Sequence, residues 1–220
     1  MRKDEVLDVI LSTKAIAVIR MANAEKLAKV VEAVKKGGMK AIEITMTTPR
    51  ALEVIAAMSK KKSADSLIGA GTVLDPETAL QAIRAGADFI VSPITNFEMI
   101  NVCRKYDRFV APGAFTPTEI VAAWEGGADV VKVFPATSVG PKYFKDLKGP
   151  LPQIRLMPTG GVSIENAREF IENGACCVAI GTALLDKKAI EAENWEVLTQ
   201  KAKALMDSLL YPNSDRSLCA

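Results

Sequence analysis

The stretch GGMKAIEI at residues 37–44 recurs in looser form three times, as AGADFIVS at 85–92, GGADVVKV at 126–133 and NGACCVAI at 173–180. Each copy puts a glycine suited to ending a helix just ahead of a short apolar run with the composition of a buried strand. Working outward, the runs fall second, fourth, sixth and eighth in a series of eight expected strands at 15–20, 41–45, 67–71, 89–92, 109–112, 130–134, 154–158 and 177–180. Segments of helical period lie between them, such as 24–36 with Leu27, Val30, Val31 and Val34, and 49–60 with Leu52, Ile55 and Ala56; a last helix is expected near 195–209. Asp75 and Pro76 suit the start of a helix, as cap and first turn. Eight alternating units predict an α/β protein, a (β/α)₈ TIM barrel whose bottom is capped by an N-terminal helix over 3–13. A doubly wound open sheet is the alternative, but no strand ends in GxGxxG.

Composition narrows the function. With 220 residues, 49% of them hydrophobic, and no Gly, Ser or Pro-rich linker, the chain reads as a single domain over 1–220. Its net charge of +2 is spread over interleaved lysines and acids, which speaks against a nucleic-acid partner. No apolar stretch has membrane-spanning length, and the amino terminus begins an amphipathic segment rather than a signal peptide, so a cytoplasmic enzyme is expected. Cys103, Cys176, Cys177 and Cys219 have no CxxC spacing, and Cys176 and Cys177 should point to opposite faces of a strand. The chain has no histidine, which removes the commonest general base and zinc ligand; carboxylates, lysine, tyrosine or water must do any proton chemistry.

A barrel of this kind works at the carboxyl ends of its strands. Lys132 interrupts the run Val130, Val131, Val133, Phe134, where desolvation should lower its pKa from about 10.4 and leave a nucleophilic amine; the alternatives are a lysine that snorkels out or pairs with a buried acid. Glu43, between Ile42 and Ile44, is its natural partner and the best candidate proton shuttle, although a purely structural ion pair fits the same residues. Arg20 ends the first strand and could hold a carboxylate, and Thr72 and Pro93 could add a hydroxyl and a wall. Thr159, Gly160 and Gly161 follow the seventh strand and precede a helix expected near 163–166, and Gly181 and Thr182 follow the eighth; the two loops together suggest a phosphate site.

On these residues the chain resembles the 2-keto-3-deoxy-6-phosphogluconate and 4-hydroxy-2-oxoglutarate aldolase family. The likeness runs through AIAVIR, AIEITMTTP, IGAGTV, FIVSP, APGAFTPTE, DVVKVFPA, MPTGGV and AIGTALL. It implies a homotrimeric barrel without metal or other cofactor, acting on a phosphorylated keto acid. Lys132 would form the Schiff base, Glu43 would act as acid and base, Arg20 and Thr72 would hold the pyruvyl carboxylate, and Gly160, Gly161, Gly181 and Thr182 would bind phosphate. Thr47 stands where some members carry arginine, which should shift selectivity, and Thr182 stands where serine is frequent. A galactonate-type substrate, a phosphate-binding barrel isomerase or synthase, and a catalytically silent trimeric scaffold are the rival readings.

Overall fold

The computed structural model describes residues 1–211, and the repeated glycines set its rhythm. Gly38, Gly86, Gly127 and Gly174 have φ of 101°, 100°, 103° and 101°. At each of them the following amide donates five residues back, as from Met39 to Val34 at 3.1 Å, while the glycine amide donates three residues back, as from Gly38 to Lys35 at 2.9 Å. This is the Schellman pattern, which satisfies the last carbonyls of a helix and turns the chain into the next strand. It closes α2 (Ala24–Lys36), α4 (Pro76–Arg84), α6 (Pro117–Glu125) and α8 (Ala167–Glu172). A side chain at position 38 would meet only the flexible Met206 Cγ, at 3.3 Å, so backbone strain decides the cost there. Gly38→Ala is expected to lower unfolding stability by about 1–2 kcal/mol, read from urea denaturation.

The described residues form nine parallel strands: β1 (Ala15–Ile19), β2 (Ala41–Thr45), β3 (Leu67–Gly71), β4 (Phe89–Val91), β5 (Phe109–Ala111), β6 (Gly113–Ala114), β7 (Val131–Val133), β8 (Leu156–Pro158) and β9 (Val178–Ile180). They form a six-stranded sheet ordered β5-β4-β3-β2-β1-β9 and a three-stranded sheet ordered β6-β7-β8. The expected fifth strand, 109–112, stops at Ala111, because Pro112 has no amide to give to a ladder, and pairing resumes beyond it in β6. Its carbonyl still accepts from Lys132 N at 2.9 Å, so residues 109–114 serve both sheets. Isolated parallel bridges, Leu156 to Ala175 and Thr159 to Ala179, link the β8 and β9 segments.

The sheet curls around an inner core. Ile16, Ala41, Leu67, Phe89, Phe109, Val130 and Met157 meet there, and α1 (Lys3–Thr13) adds Val6 and Ile10. The N-terminal helix therefore packs on the amino ends of the strands, as expected, with about 1.5–3 kcal/mol of hydrophobic stabilisation for each fully buried side chain it contributes. A larger outer core fills the space between strands and helices, where β-branched and leucine side chains of the two layers interlock. Asp88 and Asp129, at matching places in two repeats, accept the amides of Ile68 and Val110, each at 2.9 Å, and so pin the start of a preceding strand.

Two local expectations are corrected. Cys176 lies at a bend, because β9 starts only at Val178; the Cys176 and Cys177 sulfurs consequently sit 3.8 Å apart instead of on opposite faces. Helix α8 starts at Ala167, one residue past the expected 163–166; Ser163 and Asn166 bond reciprocally ahead of it, and Ala167 N donates to the Ser163 carbonyl at 3.0 Å. Cys219 lies outside the described residues.

Candidate active site

Strand periodicity aims the two central side chains. Ala41 and Val130 face the inner core, so Glu43 and Lys132, each two residues further on, face inward nearer the carboxyl ends of β2 and β7. Both are buried, with 1% and 5% exposure. Gly71 makes this possible on one side, since a Cβ there would overlap the Glu43 carboxylate. The Glu43 Oε2 atom has no hydrogen-bond partner.

The electrostatics couple three groups. Burial pushes the Glu43 carboxyl above the ordinary carboxylate range, while the charges of Lys132 and Arg20 pull it back. Burial pushes the Lys132 ammonium below the usual lysine value, Glu43 opposes that shift, and Arg20 reinforces it. Among the described residues none of the ion pairs within contact distance joins Lys132 to Glu43, so each retains a free functional group. The Lys132 Nζ instead stands 4.9 Å from the centre of the Phe134 ring. Phe134 was legible in principle, because residues i and i+2 of a strand share a face.

The other expected site residues surround the same strand ends. Arg20 is exposed just beyond β1, and Thr47 is exposed beyond β2, its hydroxyl 3.0 Å from that of Thr45. Thr72 follows β3 with φ of 57°, a conformation that costs a β-branched residue free energy and so marks a held position. Pro93 follows β4 and packs its backbone against Gly113. Thr159 is buried and its hydroxyl has no partner. Gly160 and Gly161 have φ of 85° and 72°, and their amides, like that of Thr182, donate to no backbone carbonyl among the described residues. Consecutive free amides of this kind form an anion-binding concavity without help from a helix terminus. Thr137, which no local pattern marks, leans over this loop with its hydroxyl 3.0 Å from where a Gly161 Cβ would stand.

A cleft of about 670 Å³ opens beyond the carboxyl ends of β1 and β9. Arg20, Gly181 and Thr182 line it together with Lys26 and Lys187. Its three cations outnumber its one acid, Glu191, and neither Lys132 nor Glu43 lines it. Among the described residues no cluster of three or more metal-ligating side chains occurs.

Fold and site together define a parallel α/β lyase of the aldolase kind. The family model for KDPG and KHG aldolases, the enzymes of 2-keto-3-deoxy-6-phosphogluconate and 4-hydroxy-2-oxoglutarate, matches residues 6–201, and the chain belongs to that family. It is 31% identical over 204 residues to the 2-dehydro-3-deoxy-phosphogluconate aldolase of Haemophilus influenzae, covering 92% of this chain and 96% of that one. It is 36% identical over 170 residues to the 2-dehydro-3-deoxy-6-phosphogalactonate aldolase of Escherichia coli, covering 77% and 83%. The structure of the Legionella pneumophila KDPG aldolase, with pyruvate captured as a covalent carbinolamine, is similar at a TM-score of 0.83 and 29% identity, over 90% of this chain and 97% of that one.

Proposed function

We propose that the chain is a metal-independent class I aldolase that cleaves 2-keto-3-deoxy-6-phosphogluconate to pyruvate and glyceraldehyde 3-phosphate. The observation that carries this reading is a buried amine, depressed by desolvation, within electrostatic reach of a buried carboxyl lacking any hydrogen-bond partner at Oε2. Lys132 attacks the C2 ketone and water leaves, giving an iminium. Glu43 takes the proton of the C4 hydroxyl, the C3–C4 bond breaks, and its electron pair moves to the iminium nitrogen. The aldehyde departs; the enamine is protonated at C3 and hydrolysed to pyruvate. Arg20 and Thr72 hold the pyruvyl carboxylate, Pro93 shapes the wall, and Gly160, Gly161, Gly181 and Thr182 bind the phosphate. The free hydroxyl of Thr159 completes that side.

In this reading residues 1–220 form one domain, the two sheets close as a (β/α)₈ barrel, and the protein works in the cytoplasm as a homotrimer. The shared segment 109–114 and the bridges between β8 and β9 support closure. Exposed Leu74, Ile94 and Phe115, on loops at the strand ends, and Phe97, at the start of the helix Phe97–Lys105, supply apolar surface for assembly. Likeness to the galactonate enzyme keeps the C4 epimer as a second substrate, and Thr47 removes a cation that could have selected between substrates.

Borohydride reduction in the presence of pyruvate, followed by peptide mass spectrometry, tests the chemistry: an adduct on Lys132 is expected, and its absence favours an isomerase, synthase or silent scaffold. Side-by-side kinetics on the gluconate-type, galactonate-type and unphosphorylated oxoglutarate substrates test the preference. The gluconate-type phosphate is expected to have the highest kcat/KM.

A further inference from the structure

The amino end of β9, away from the strand ends that carry Lys132 and Glu43, holds a pair of thiols that no step of the aldolase chemistry uses. Cys177 is fully buried in the inner core, whereas Cys176 occupies a bend and is half-buried. Their sulfurs are 3.8 Å apart. Lys148 and Arg155 approach the same segment. The Lys148 stem lies over Gly174, its Nζ bonded to the Ile154 carbonyl at 2.6 Å, and Arg155 adjoins Leu156, whose carbonyl accepts from Cys176 N at 2.9 Å.

From this geometry we infer that Cys176 and Cys177 form a peroxide-sensitive modification site, with Cys176 as the reacting thiol and Cys177 as the resolving one. A partly exposed thiol among cations, next to a second thiol, is the setting in which oxidation is selective and reversible. The Cys176 thiolate attacks one oxygen of a hydroperoxide, the O–O bond breaks, and hydroxide or alkoxide leaves as sulfur becomes the sulfenic acid. The Cys177 sulfur then displaces the hydroxyl and its proton departs with it as water, leaving a Cys176–Cys177 disulfide. Two thiols are oxidised by two electrons and one peroxide is reduced.

The hydrogen bond with Cys177 holds the Cys176 thiol below the ordinary range against the opposing effect of burial, and the charges of Lys148 and Arg155 add to it, whereas burial pushes Cys103 up to about 12. Neighbouring Cα atoms stand about 3.8 Å apart, shorter than the usual disulfide span of about 4.4–6.8 Å, so the product is strained and readily reduced. Forming it draws Cys177 out of the inner core at the root of β9, the strand that presents Gly181 and Thr182 at its far end.

The test uses the full chain, reduced, exposed to a small excess of hydrogen peroxide and then alkylated with N-ethylmaleimide before peptide mapping. The expected product is a 176–177 peptide that has lost two hydrogens, takes no maleimide and regains both thiols with dithiothreitol. It should form at least about tenfold faster than oxidation at Cys103, in line with a tenfold change in thiolate per pKa unit. In Cys177→Ser the reaction should halt at a Cys176 sulfenic acid trapped by dimedone, and in Cys176→Ser position 177 should stay reduced. Overoxidation of Cys176 with Cys177 left free, pairing of either thiol with Cys219, or equal reaction at Cys103 would each overturn the inference.

Discussion

Lys132→Met is expected to abolish turnover, with kcat/KM falling by about six orders of magnitude, the scale on which loss of a covalent nucleophile is felt. Methionine keeps an unbranched stem in the inner layer while removing the amine, so the loss reads chemistry rather than a collapsed strand. The size of the effect follows from what burial does to the nitrogen. A free lysine presents about one amine in 2,500 at pH 7, whereas desolvation of Lys132 shifts its balance toward the neutral form. Among the described residues no other lysine is buried, so no neighbour can take over. Pyruvate trapping by borohydride should vanish in the same variant, with the circular dichroism spectrum retained. A Lys132→Met protein that still cleaved substrate would remove the Schiff base from the mechanism altogether.

Why so much of this could be read in advance is a matter of which forces are local. The glycine repeats encode helix stops through backbone conformation at single residues, and all four adopt the same φ, so the strand and helix alternation was fixed by short-range sterics. Period two placed Glu43 and Lys132 on the inner face, because Ala41 and Val130 already belonged there. The misses are long-range or depend on one missing donor. Pro112 ends the fifth strand one residue short of its expected bound. The proximity of Thr137 to Gly161 depends on a turn after β7 meeting a loop after β8, which no local pattern contains. The closeness of Cys176 and Cys177 depends on β9 starting at Val178, one residue later than expected, which leaves both cysteines outside the strand. The cleft that Arg20 shares with Lys26 and Lys187 joins residues more than a hundred apart in sequence, and only the curl of the sheet brings them together.

Glu43→Gln should separate the two halves of the reaction. Glutamine keeps the volume beside Gly71 but can neither accept nor deliver the C4 hydroxyl proton, so cleavage should slow by about two to four orders of magnitude, the usual worth of a general base. Imine formation with pyruvate depends on Lys132 and should survive. Its pH dependence should even move to lower pH, because the Glu43 charge is what raises the Lys132 value against desolvation. Stability should change in the opposite sense to activity. The folded-state pKa of Glu43 lies above its unfolded value, so its contribution is fully present below the unfolded pKa and is lost as pH rises through the folded one. A glutamine stays neutral throughout; the variant should therefore gain stability over the parent as pH increases across that window, and lose the advantage in acid. Urea unfolding at several pH values, paired with single-turnover cleavage and borohydride trapping, reads all three outcomes. If cleavage and trapping fell together, Glu43 would be setting the state of Lys132 rather than moving the substrate proton, and the base would have to be water.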